Sequence, residues 1–68
     1  MVYLAVNKDK SEVISQEELR RDFKSKRWFS FRHYSDGKYY PAQIELPKGT
    51  IKKLIGKELT WKDKQVKI

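Results

Sequence analysis

Asp36-Gly37 lies between two runs that read as strands, Arg27 to Tyr34 and Tyr39 to Leu46. Asp-Gly favours a two-residue type I′ turn, whose twist matches that of a hairpin. If these two residues form the loop, the register follows. Tyr34 then faces Tyr39, Phe31 faces Ala42 and Phe29 faces Ile44. One face carries Phe29, Phe31, Ala42, Ile44 and Leu46, which is the expected core face. The other carries Trp28, Ser30, Arg32, Tyr34, Tyr39, Pro41, Gln43 and Glu45. Proline has no N–H to donate, so Pro41 suits an edge or a bulge.

Around this hairpin the pattern is also mostly β. Val2, Leu4 and Val6 alternate with Tyr3 and Ala5, a period of two. Asn7-Lys8-Asp9-Lys10 is a turn cluster, and Glu12-Val13-Ile14 can return as a second strand. Ser15-Gln16-Glu17-Glu18 matches a capping box, in which Ser15 accepts from the Glu18 N–H. Leu19 and Phe23 then share one side of a helical turn. A helix at about 16–24 and a loop there both fit. Pro47 opens a helix at about 48–55, where Ile51, Leu54 and Ile55 make one apolar stripe. Gly56 suits the left-handed position that ends it. Leu59 to Ile68 reads as a second hairpin around Asp63-Lys64, with Leu59, Trp61, Val66 and Ile68 completing the core. The expected fold class is α+β in a single domain, residues 1–68. It is a small, mostly antiparallel sheet of about five strands (two or three hairpins) with one short helix and a possible second.

Size limits what such a chain can do. Sixty-eight residues, 38% of them hydrophobic, supply one core. There is no cysteine, so disulfides and thiolate metal sites are excluded. Small secreted domains usually need disulfides, which favours a reducing, cytoplasmic setting. The apolar start, Met1 to Val6, is too short for a signal peptide or a membrane span. No repeat or low-complexity run interrupts the chain.

The chemistry-bearing residues are few. His33 is the single histidine, and no nucleophile or acid is spaced to work with it. Glu17 and Glu18 are adjacent, so on a helix they point apart. Gly37, Gly49 and Gly56 are isolated and form no phosphate-cradling loop. The reading is a non-enzyme with no cofactor and no metal.

Charge is the remaining signal. The net charge is +7. Residues 20–32 carry six basic residues against Asp22, and residues 47–68 carry seven lysines against Glu58 and Asp63. Such clustering attracts polyanions or acidic protein surfaces, although lysines also keep a marginal domain soluble. Lys24, Lys26, Arg27 and Arg32 interleave with Trp28, Tyr34 and Tyr39. Phosphates need cations, and unpaired bases need flat rings to stack on. These seven residues are the candidate contacts for RNA or single-stranded DNA, as a non-catalytic binding module. Aromatic residues also stabilise exposed sheets by cross-strand pairing, and a second helix over this face would make Trp28 core. An acidic host protein surface is the alternative partner, because Trp, Tyr and Arg also anchor protein interfaces. An unpaired edge strand could pair into a dimer.

The segment Leu46-Pro47-Lys48-Gly49-Thr50-Ile51-Lys52-Lys53-Leu54-Ile55-Gly56-Lys57-Glu58-Leu59-Thr60-Trp61, after Tyr3-Leu4-Ala5-Val6-Asn7-Lys8-Asp9, resembles short uncharacterised proteins encoded in bacterial phages and prophages. The resemblance implies a phage or bacterial cytoplasmic setting; in that setting the alternative reading is a small phage-type accessory protein that binds and modulates a host protein. The resemblance covers about two-thirds of the chain by the residues quoted and leaves out Arg20 to Arg32. It implies no activity, cofactor or site residue.

Overall fold

The computed structural model describes residues 1–68. Eight short strands and one helix run in the order β1 (Tyr3–Val6), β2 (Glu12–Ser15), β3 (Arg20–Asp22), β4 (Arg27–Phe29), β5 (Phe31–His33), β6 (Tyr39–Pro41), β7 (Ile44–Leu46), α1 (Thr50–Ile55) and β8 (Val66–Lys67). They form a four-stranded sheet, ordered β7-β2-β1-β8, and two separate two-stranded ribbons, β3-β4 and β5-β6. Every pairing is antiparallel. The α+β class holds, with three small sheets in place of one five-stranded sheet. No helix is long and apolar enough to cross a membrane.

β1 is apolar on both sides because both of its sides are covered. Leu4 and Val6 pack with Ile51 and Leu59 under α1. Ala5 faces the other way and packs with Val13, Leu19 and Trp28 beneath the β3-β4 ribbon. The result is a sandwich of helix, sheet and ribbon, the arrangement that a sheet needs when neither face meets water.

That second cluster overturns the expected register. The indole of Trp28 is only 5% exposed, whereas Phe31 and Ile44 are 52% and 67% exposed. Residues 27–34 do not make one strand. Trp28 pairs with Arg21, and Arg32 pairs with Tyr40. At the turn, the Gly37 N–H donates to the Tyr34 carbonyl and the Tyr34 N–H donates to the Lys38 carbonyl, both at 3.0 Å. The loop therefore has three residues, Ser35-Asp36-Gly37, with only Gly37 left-handed at φ 80°. A two-residue type I′ loop needs a positive φ at Asp36 as well. The extra loop residue slips the pairing by one, so His33 now faces Tyr39. Ile44 to Leu46 leave this hairpin and pair with β2.

Three other expectations change. Residues 16–24 form no helix. The Ser15 hydroxyl accepts from the Glu17 N–H at 3.0 Å, one residue short of a capping box, and a polar strand, β3, follows. The tail forms no hairpin: Val66 and Lys67 pair with β1 instead. In α1, which matches the expected helix, Ile51 is buried but Leu54 is 51% exposed.

Some connections come from side chains far apart in sequence. The Glu12 carboxylate accepts from the Gly49 and Ile51 N–H groups at 2.6 and 2.7 Å, which satisfies free donors at the start of α1. Gln65 accepts from the Leu19 N–H at 2.7 Å and donates to the Leu19 carbonyl at 2.8 Å, pinning the segment before β3 to the tail. Ser15 and Ser30 share a buried hydroxyl–hydroxyl hydrogen bond of 2.6 Å.

Three aspartates at the surface hold turns. Their carboxyls lie below the ordinary value of 3.8: Asp9 through the Ser11 hydroxyl and N–H, Asp22 through the Ser25 hydroxyl and the Lys24 N–H, and Asp36 through the Lys38 N–H and the Tyr40 hydroxyl. A pKa lower in the folded state than in the unfolded chain gives stability that is present above the unfolded value and lost as pH falls through the folded one. Urea midpoints are expected to be flat from pH 7 to about 5 for these groups and to drop below about pH 4. A midpoint that rises on acidification would contradict the turn roles.

Candidate nucleic-acid interface

The seven sequence candidates do not form one surface. Trp28 is core: its Nε1–H donates to the Val6 carbonyl at 3.1 Å and its backbone N–H donates to the Asn7 side chain at 2.7 Å. Arg32 is held by Glu17 and Gln16, at 3.1 and 2.9 Å. Tyr34 meets Tyr40 edge-on at 5.1 Å. Tyr39 alternates to the opposite face of the β5-β6 ribbon, where it lies 4.8 Å from His33. The ribbon thus presents tyrosines on two sides, with Arg32 already paired. The structure brings together no group of three or more His, Cys, Asp or Glu residues able to hold a metal.

Lys24, Lys26 and Arg27 end up elsewhere, in or beside the β3-β4 turn. That turn sits against the β1-β2 turn. The Lys8 N–H donates to the Lys26 carbonyl at 3.2 Å, and Arg27 pairs with Asp9 at 3.2 Å. A third turn, Thr60 to Asp63, closes on the same end, because the Arg21 guanidinium donates to the Asp63 carbonyl at 2.6 Å. Asp63 shapes this turn by accepting from the Thr60 N–H at 2.7 Å.

A groove of about 690 Å³ opens between the β1-β2 turn, the Thr60–Asp63 turn and the start of α1. Its floor and wall include Val6, Ile51, Leu59 and the half-buried Trp61. Five lysines rim it: Lys8, Lys10, Lys48, Lys52 and Lys62. Two acids also line it, and one of them, Glu12, already serves the backbone of Gly49 and Ile51. The balance is positive over an apolar, partly aromatic floor. Sequence reading found the lysine-rich tail but not this site, because its cations come from three separate turns and the helix.

Trp61 is anchored from behind. The Arg21 guanidinium lies 4.6 Å from the Trp28 ring, 5.3 Å from Trp61 and 5.6 Å from Phe23. Its Nε is buried without an acceptor, so the hydrogen bond to the Asp63 carbonyl and attraction to the ring faces together hold the cation there. Trp28 meets Trp61 edge-on at 6.3 Å, and Phe23 does so at 5.9 Å.

No family model matches the chain, and no curated protein or solved structure shows significant similarity to it.

Proposed function

We propose that this protein is a non-catalytic module that binds single-stranded nucleic acid, with the lysine-rimmed groove as its contact surface. One observation carries the reading: five lysines from four separate segments converge around a groove walled by Trp61. Lysines neutralise phosphates, and an indole offers a base a stacking face. Lys24 and Lys26 extend the cationic border through the neighbouring turn. This assignment keeps Lys24 and Lys26 of the residues expected from sequence, with Arg27, paired to Asp9, beside them. It replaces Trp28 with Trp61, and it leaves Arg32, Tyr34 and Tyr39 outside the contact surface.

Fluorescence polarisation with a labelled oligonucleotide over a salt series tests it. Log affinity is expected to fall linearly with log salt. Lys8→Ala combined with Lys52→Ala is expected to flatten that slope by about 1.4, at about 0.7 per phosphate contact on a single strand. Lys38→Ala, on the β5-β6 ribbon, is the control that leaves the slope unchanged. An unchanged slope in the double variant would remove the groove from the binding surface. An acidic protein surface is the competing partner. Capture of a protein from nuclease-treated bacterial lysate, with no oligonucleotide binding at low salt, would favour it.

A further inference from the structure

We infer that Phe23 is a second stacking platform, so that the bound strand runs out of the groove across Trp61 onto the β3-β4 turn. The inference rests on the proposed binding mode and adds to it the path and the strandedness of the ligand. Phe23 is 70% exposed at the tip of a ribbon. Its ring lies 5.9 Å from Trp61, and Trp61 itself lines the groove. The two rings therefore adjoin, with their planes inclined at 72°. The Arg21 guanidinium lies over both rings, 5.6 Å from Phe23 and 5.3 Å from Trp61.

The flanks match a phosphate backbone. Lys24 and Lys26 are exposed on either side of Ser25 in the same turn as Phe23. The turn itself is rigidly built: Asp22 accepts from the Lys24 N–H at 3.0 Å and from the Ser25 hydroxyl at 2.9 Å. Lys26 holds a left-handed backbone, φ 60°, which costs energy in a residue with a side chain. An aromatic ring held in water beside cations suits unpaired bases, because bases inside a duplex have no free face to offer.

The test uses the full chain and short labelled oligonucleotides of one sequence, single-stranded and as a duplex. Phe23→Ala and Phe23→Leu are expected to remain folded, with a thermal midpoint lowered by a few degrees as the edge-on contact with Trp61 is lost, and to weaken single-strand binding by about 5- to 150-fold. Leucine retains apolar bulk against Trp61 but removes the flat face. Phe23→Trp is expected to bind at least as well as wild type. The duplex is expected to bind more weakly than the single strand at equal salt. Wild-type affinity in Phe23→Leu would overturn the inference and leave the groove reading standing. So would a duplex bound as tightly as the single strand. A wild-type protein that binds neither form at low salt would overturn both.

Discussion

Trp28→Ala is expected to unfold most of the protein at room temperature. The indole fills the space between β1, β2 and the segment at Leu19. Removing a buried tryptophan costs about 3–5 kcal/mol, and the remaining core cannot close over a gap of that size. A domain this small has a total stability of about the same magnitude. Trp28→Phe is the milder partner. It keeps a ring but strands the Val6 carbonyl, which loses its Nε1–H donor. A buried acceptor left unpaired costs about 1–3 kcal/mol. Circular dichroism and urea titration separate the two. A Trp28→Ala protein with a native spectrum and an unchanged midpoint would contradict the placement of the indole.

The second large effect lies on the opposite face of the sheet. Ile51 is the buried anchor of α1, packed with Leu4, Val6 and Leu59. Ile51→Ala is expected to cost about 2–5 kcal/mol. Leu54→Ala, one helical turn on, is expected to stay within about 0.5 kcal/mol, because Leu54 is half exposed and outside the core cluster. Both variants change one aliphatic side chain in a six-residue helix. Helix propensity does not account for the gap between them, since Ala is the best helix former. Equal urea midpoints would mean that the helix docks through its whole stripe, as its spacing alone suggests.

How far these features were readable varies by residue. β1, β2 and α1 were legible because their signals are local: alternation in Val2 to Val6, a stripe at Ile51 and Ile55, and Gly56 at φ 79° ending the helix. β3 was not legible. Arg20-Arg21-Asp22 contains no apolar residue, and it is a strand because it pairs with Arg27-Trp28-Phe29. Pairing partners do not show in hydrophobic periodicity. The hairpin turn was located correctly at Asp36-Gly37, but one added loop residue changed what each side chain faces. The face expected for Tyr39 depended on that count, and the face expected for Trp28 depended on residues 27–34 being one strand, which they are not.

The candidate site was hidden for a similar reason. Trp61 was assigned to the core with Leu59, yet it packs only partly buried against the Trp28 cluster and joins Leu59 in lining the groove. Lys8, Lys48 and Lys62 lie far apart in sequence and meet only through the fold. The Glu12 carboxylate that serves the start of α1 comes from β2, nearly forty residues upstream, as the hydrogen-bond separations of 37 and 39 residues record.

β1, one of the two inner strands of the main sheet, acquires its neighbours at very different moments. β2 follows β1 after a short turn and can pair within microseconds, the time scale of an isolated hairpin. β8 reaches the other edge only across almost the whole chain, where Val2 and Ile68 exchange hydrogen bonds of 2.8 Å. Until that far segment arrives, Leu4 and Val66 lack each other and one rim of β1 stays open. Closing so wide a loop is the slow kind of contact in folding. During synthesis on the ribosome, an apolar edge therefore waits uncovered while the rest of the polypeptide emerges. That interval is when this molecule is most exposed to mispairing with its neighbours.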